Sequence, residues 1–356
     1  MANATRRGGS SNRGVTLGWE GKPSLDFRPP TPDAASALEP FATRCGRGRY
    51  FFGDNLTALG ALASVEPGSA TLAYLDPPFL TNRVHEAVSR ERDRESQTIL
   101  RTKRAAFDDR WEDRGSYLEA LAPRLAAARE LLAPHGSIVI HVDPKTSHYV
   151  KVLCDEIFGP ECFASEIVWR YRRWPSKTPN FQRVHDVLLR YRRDASVTPR
   201  FVPCFEPLAA STLATWGTKK QRAVFDGKGR RARSSSTAEE TAGVPMGDVW
   251  DIGVIAPIAR ERTGYPSQKP EALLERLVRA LTHEGETVVD PYAGSGTTLA
   301  VAARLGRRFV GADQSEVARD VTFARLEAQG LPLERLAPLR GPVAAGGSPA
   351  PRRVAS

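Results

Sequence analysis

Two short runs of this chain combine side chains in patterns that suggest catalysis and ligand binding. The first is Leu72-Ala-Tyr-Leu-Asp76-Pro77-Pro78-Phe79, an apolar run ending in a carboxylate, two prolines and an aromatic ring. The prolines stiffen the turn, so the Asp76 carboxylate and the Pro77 carbonyl become fixed acceptors beside a flat surface. Two fixed acceptors suit an exocyclic amino group, which offers two N–H donors, while Phe79 stacks on the ring that bears it. The plainer alternative is a proline-stiffened turn closing a strand. The second run is Val288-Val289-Asp290-Pro291-Tyr292-Ala293-Gly294-Ser295-Gly296-Thr297-Thr298. Here a strand ends in a small-residue turn that opens a helix. Gly294 and Gly296 let a ligand approach the backbone, and the helix N-terminus favours an anionic group. The turn lacks the Gly-Lys-Thr/Ser of a phosphate loop and the third glycine of the dinucleotide fingerprint. Fifteen residues after Thr298 another strand ends in Asp313, where a Rossmann-like sheet would read a ribose diol. Standing alone, the turn would also pass for an ordinary strand-to-helix connection.

Around these runs, strands and helices alternate. Arg49–Phe52, Thr71–Leu75, Ser137–His141, Thr287–Asp290 and Arg308–Gly311 read as buried strands, and Tyr117–Leu132, Lys269–Leu281 and Thr297–Leu305 as helices with apolar residues three or four apart. Such alternation predicts an α/β fold with a mostly parallel sheet covered on both faces. Two segments break the rhythm, Leu80–Asp109, largely charged and polar, and Asp194–Met246, basic with Gly, Ser and Thr. Both are expected to be loops or inserts.

The chain has 356 residues, 41% hydrophobic and 26% charged, which excludes a wholly disordered protein. No run approaches the length of a membrane span and Met1–Arg13 is polar, so neither a span nor a signal peptide is expected, and the location expected is cytoplasmic. Cys45, Cys154, Cys162 and Cys204 have neither CxxC spacing nor a His partner, and read as free thiols rather than zinc ligands. The net charge is +10, and residues 151–233 alone carry +9, with +4 in residues 1–49 and +3 in 331–356. A polyanion would meet that internal region first, although a solvated basic surface has the same composition.

Together the two runs resemble the S-adenosylmethionine-dependent amino-group DNA methyltransferases, specifically the circularly permuted β class, in which the DPPY/F motif precedes the glycine turn. The resemblance spans most of residues 47–325. It implies a Rossmann-like, mostly parallel seven-stranded sheet, with Asp76, Pro77, Pro78 and Phe79 as the catalytic motif. It further implies that the turn with Asp290, Tyr292, Gly294, Gly296 and Thr297 holds the methionine end of S-adenosylmethionine, and that Asp313 takes its ribose. Gly53-Asp54-Asn55-Leu56 matches the family motif whose acid reads the cofactor's adenine, which implies that role for Asp54. Thr263–Pro270, with Lys269, is similar to the family's HPTQKP segment lining the methionine pocket, with Tyr265 and Ser267 departing from its usual His and Thr. Lys177, Asn180, Phe181 and His185 correspond to the cluster that lines the base pocket. His185 reads equally as a structural histidine, and Lys177 as a phosphate contact.

The implied organisation is a disordered basic tail over 1–46 and a catalytic half over 47–193 with a mobile loop at 80–109. A target-recognition insert follows over 194–246, then a cofactor-binding half over 247–330 and a second disordered tail over 331–356. In the insert, Lys219, Lys220, Arg222, Arg230 and Arg231 would meet DNA phosphates or guanines. The resemblance implies double-stranded DNA as partner, with room for a cognate restriction endonuclease on another chain and for a homodimer. Within the family an Asp at the first motif position goes with adenine N6 rather than cytosine N4. Cytosine N4, an RNA substrate and an inactive DNA-binding relic stay open at this point, whereas a dehydrogenase does not explain DPPF.

Overall fold

Alternation of side chains sets the layers. In the strand Ala70–Leu75 every residue is buried, with Leu72 and Tyr74 entering one apolar cluster and Ala73 and Leu75 the other. A strand buried on both faces belongs in the middle of a covered parallel sheet. A computed structural model of the chain describes residues 15–92, 99–175, 177 and 179–337, and it bears this out. In chain order the elements are α1 (Pro32–Ser36), β1 (Glu39–Thr43), β2 (Gly48–Phe52), α2 (Asn55–Val65), β3 (Ala70–Leu75), β4 (Val84–Arg92), β5 (Ile99–Asp108), α3 (Arg114–Leu131), β6 (Leu132–Val142), α4 (Ser147–Phe158), β7 (Phe163–Arg170) and β8 (His185–Arg192). They continue with β9 (Phe205–Glu206), α5 (Ala210–Trp216), β10 (Lys219–Phe225), β11 (Arg231–Glu240), β12 (Val244–Pro245), β13 (Val249–Asp251), α6 (Glu271–Leu281), β14 (Thr287–Asp290), α7 (Thr297–Arg304), β15 (Arg308–Asp313), α8 (Glu316–Glu327) and β16 (Leu333–Arg335).

The main sheet has ten strands in the order β13-β7-β8-β6-β3-β14-β15-β2-β1-β16. The five central strands, β6 to β2, are mutually parallel. β8 runs antiparallel to both β6 and β7, so the β7–β8 connection emerges at the same edge as the end of β3. Helices α2, α3 and α4 cover one face, and α6 and α7 the other.

Three expectations need correction. The seven strands from β7 to β2 match the expected number, but β13 extends one edge and β1 and β16 the other. Residues 15–46 and 331–337, expected within disordered tails, are part of the fold. β1 pairs with β2 and β16 with β1, and upstream of them Leu17, Trp19, Leu25 and Phe27 pack on the core. Residues 1–14 and 338–356 of those tails lie outside the described residues. Finally, the segment 80–109 is no loop. β4 and β5 form an antiparallel hairpin with residues 93–98 outside the described part. Its fully buried apolar contact is small, Ala87 and Ala106 with Val317 of α8, bordered by Phe107, Tyr265 and Val321 and supplemented by Arg104 near Glu316 and Asp320. So little apolar surface leaves almost no hydrophobic signature in a sequence.

Candidate active site

The two motifs meet because their strands are neighbours. β3 and β14 pair in parallel, Val288 beside Leu72 and Val289 beside Ala73, so both chains leave the sheet at one edge. Between the two turns opens a cavity of about 520 Å³, lined by Asp76, Pro77, Pro78, Phe79, Asp290, Tyr292, Gly294, Thr297, Asp313 and Lys269 among others. That volume suits a nucleoside-sized ligand.

On the β14 side Gly294 takes a left-handed φ of +50°, and its N–H donates to Asp313 Oδ2 at 2.9 Å. The Ser315 N–H donates to the other oxygen, also at 2.9 Å. Burial pushes Asp313 up to about 6 even against these bonds. Asp290 accepts from the Tyr292 N–H at 3.0 Å. Burial carries it up to about 7 against a hydrogen bond from Thr298, and the Asp76 charge adds to the rise. Burial likewise moves the Tyr292 phenol up to about 12. Gly296 stands one layer behind. At φ +69° it caps α7, and a Cβ there would come 2.7 Å from Thr322 Oγ1. Its small size serves packing against α8, and it is not among the lining residues.

On the β3 side, Asp76 Oδ1 is buried and has no hydrogen-bond partner among the described residues. Oδ2 meets Lys269 Nζ in an ion pair. The helix read from Lys269 onward starts at Glu271, because Pro270 disfavours helical backbone at the residue before it. Lys269 is thereby free to reach Asp76, and its ammonium lies 5.0 Å above the Phe79 ring centre. The lysine expected on the cofactor side thus stands against the acceptor carboxylate.

Beneath the turn lies a histidine that belongs to neither motif. His141 on β6 is fully buried, with Nδ1 2.8 Å from the Tyr74 hydroxyl, Nε2 3.4 Å from Asp186 and Nδ1 4.0 Å from Asp76. Burial, with the Lys269 charge, lowers its pKa against the pull of Asp186 and Asp76. Burial alone would raise Asp186, but His141, Lys269 and the Tyr171 hydroxyl outweigh it and its pKa falls. Sequence reasoning missed His141, and a histidine inside a buried strand was the available signal.

Other expected residues fall elsewhere. Asp54 caps α2 through the Thr57 N–H at 2.9 Å and pairs with Arg124. Burial would raise its pKa, but those partners lower it, and Asp54 is not among the lining residues. Its neighbour Asn55 and Arg124, linked at 2.6 Å, do line the cavity. His185, half-buried, opens β8 opposite Arg170 and stays off the cavity wall. Lys177 and Phe181 are exposed on the β7–β8 connection, at the edge that carries Asp76. Lys219, Lys220, Arg222 and Arg230 are exposed on the β10–β11 hairpin, a two-stranded sheet of its own. Arg231 stands on β11, its side chain outside the described part. The cavity roof joins Tyr265, from the segment expected at the methionine pocket, to two residues that no sequence signal marked: the His85 ring stacks on Phe107 at 4.5 Å and Phe107 on Tyr265 at 6.3 Å.

A mostly parallel sheet with an acidic-proline turn and a glycine turn side by side at the carboxyl ends of its strands is an α/β ligand-binding architecture. The family model described as DNA methylase (N6_N4_Mtase) matches residues 70–323, and the chain belongs to that family. It is a DNA methyltransferase of the N4/N6 type. It is 27% identical over 325 residues to the type II methyltransferase M.EcaI of Enterobacter cloacae, covering 78% of this chain and 68% of that one. To M.HpaI of Haemophilus parainfluenzae, also a type II methyltransferase, it is 24% identical over 272 residues, or 76% and 73% of the two chains. The fold is similar to that of PvuII DNA methyltransferase (cytosine-N4-specific), with a TM-score of 0.50 over 78% of this chain and 86% of that one at 16% identity.

Proposed function

We propose that this protein transfers a methyl group from S-adenosylmethionine to the N6 of an adenine turned out of double-stranded DNA. One observation carries the reading: the Asp76–Phe79 turn and the Asp290–Thr297 turn line one cavity from adjacent strands, with a buried, unpartnered Asp76 oxygen at their junction. The lining fits the donor. Asp313 would receive the ribose, and the Asp76 and Asp290 carboxylates on the cavity wall suit a cationic centre. When bound, S-adenosylmethionine supplies an electrophilic methyl group on a sulfonium.

The chain's own residues do the rest. The adenine amino lone pair is delocalised into the ring, so Asp76 Oδ1 and the Pro77 carbonyl accept the two N–H bonds and draw the nitrogen toward tetrahedral character, lone pair aimed at the methyl carbon. Phe79 supports the base face. As the N–C bond forms and the S–C bond breaks, the nitrogen gives up one proton, and Asp76 Oδ1 takes it. Lys269 meanwhile holds the other oxygen of that carboxylate. The target amino group lies inside the duplex stack, so the base must be extruded first. The exposed cations of the β10–β11 hairpin and Lys177 are the phosphate and base-edge contacts of this reading.

The choice of adenine rests on Asp76 at the head of the motif. The test is expression in a host lacking adenine methylation, followed by genome sequencing that reports modified bases individually. N6-methyladenine confined to one short sequence is expected. Methylation at cytosine N4 would overturn the base assignment, and no modification would overturn the activity.

A further inference from the structure

The turn that follows Asp76 is organised by a residue thirty positions further along. Asp109, just past β5, is 1% exposed, and its carboxylate receives five hydrogen bonds. Oδ2 accepts from the Phe79 N–H at 3.2 Å, the Thr81 N–H at 2.8 Å and the Thr81 hydroxyl at 2.6 Å. Oδ1 accepts from the Leu80 N–H at 3.0 Å and the Trp111 indole N–H at 2.9 Å. Three successive backbone N–H groups converging on one anion form a nest, and Leu80 at φ +55° with Asn82 at φ +56° shows the left-handed backbone it needs from non-glycine residues. The main chain closes the ring, Asn82 N–H to the Asp109 carbonyl at 2.9 Å and Asp109 N–H to the Arg83 carbonyl at 3.0 Å.

No neutral side chain serves here as well. Asparagine would turn an amino group toward N–H donors, and alanine would leave buried N–H groups without acceptors. The same carboxylate also ties the turn to the roof. Because the Thr81 hydroxyl gives its hydrogen to Asp109, it accepts from His85 Nε2–H at 2.9 Å, and the His85 ring is stacked on Phe107. A single anion thus joins the base-side turn to the hairpin over the cavity.

We propose that Asp109 is a positioning residue for methyl transfer, fixing the main chain of Phe79 so that its ring and the Asp76 acceptors hold one relative placement. Asp109 borders the cavity, but its carboxylate oxygens are taken up by the turn and Trp111, so it acts through Phe79 rather than on the reacting atoms. The proposal rests on the assignment of the Asp76–Phe79 turn as the base platform.

The experiment compares the full-length wild type with Asp109→Asn, Thr81→Val and Thr81→Ser. Amide hydrogen exchange at residues 79–81 reads the geometry without requiring activity. We expect it to rise by on the order of tenfold in Asp109→Asn. Steady-state methylation of DNA reads the role. In Asp109→Asn kcat should fall by about 100-fold while KM for S-adenosylmethionine stays within about threefold. Thr81→Val should give a smaller fall of the same kind, and Thr81→Ser, which keeps the hydroxyl, near wild-type kcat. Unchanged exchange would overturn the proposal, as would a wild-type kcat or a loss of cofactor affinity equal to the loss of kcat. If Asp109→Asn fails to fold, the split between Thr81→Val and Thr81→Ser decides. A wild type that methylates nothing would fell the functional reading, while the exchange data would still report on Asp109.

Discussion

Lys269 with Asp76 and Lys220 with Glu239 are both lysine–carboxylate ion pairs, but their surroundings differ. The first pair has side chains 9% and 18% exposed, at the cavity between two buried strands. The second has side chains 60% and 72% exposed, on a hairpin outside the main sheet. A pair largely removed from water is strongly coupled and costly to break, whereas an exposed pair contributes little to stability. Work is divided accordingly. On the proposed reading, the groups that would meet the reacting atoms are fixed by burial, while Lys220, which would meet DNA, holds a weak, exchangeable partner that a phosphate can replace.

The largest test of that contrast is Asp76→Ala. Methyl transfer should fall by on the order of 10²–10³-fold or more, while S-adenosylmethionine still binds by calorimetry. Wild-type turnover in this variant would remove the buried turn from the chemistry. Next in size, the quadruple change of Lys219, Lys220, Arg222 and Arg230 to alanine should weaken DNA binding, and its salt slope should drop by roughly 0.9 for each phosphate that is no longer neutralised. kcat at saturating DNA should stay near wild type. An unaltered slope would assign these residues to solvation.

Gly296→Ala should destabilise the protein by more than about 1 kcal/mol in urea unfolding, since alanine resists the left-handed backbone and its Cβ meets Thr322. A smaller effect follows from Asp290. Its folded pKa of about 7 lies above that of an unfolded aspartate, near 3.9, so between those values the folded state holds more protons. The contribution is fully present below pH of about 4 and is lost as pH rises toward 7. Asp290→Asn should flatten that decline and melt higher than wild type at pH 8, by on the order of a few degrees. A parallel pH profile in the variant would contradict the assignment. The smallest effect belongs to Lys220→Ala alone, expected within about 0.5 kcal/mol of wild type in stability.

What the sequence disclosed follows the same division. β3, β14 and β15 were legible because buried parallel strands are continuous apolar runs, and the residues at their ends, Asp76, Asp290 and Asp313, are punctuated by proline or glycine or close a strand. The β4–β5 hairpin was not, since Ala87, Ala106 and Phe107 are too few apolar contacts to set a pattern. Asp109 and His141 were missed for another reason. One serves backbone N–H groups thirty residues away and the other a tyrosine on a neighbouring strand, and such partners exist only after folding. Asp54, expected at the cofactor's adenine, has its side chain engaged by a helix cap and by Arg124, partners that local sequence does not announce.

The reversed direction of β8 has an architectural price that doubles as an opportunity. In an all-parallel sheet, the link between successive strands returns across a face to the far edge. With β8 turned round, the chain passes from β7 to β8 directly at the edge where Asp76 emerges, and Arg183 there pairs with Asp143. Such a segment can change in length and composition without disturbing the strands that carry the cofactor-side turn.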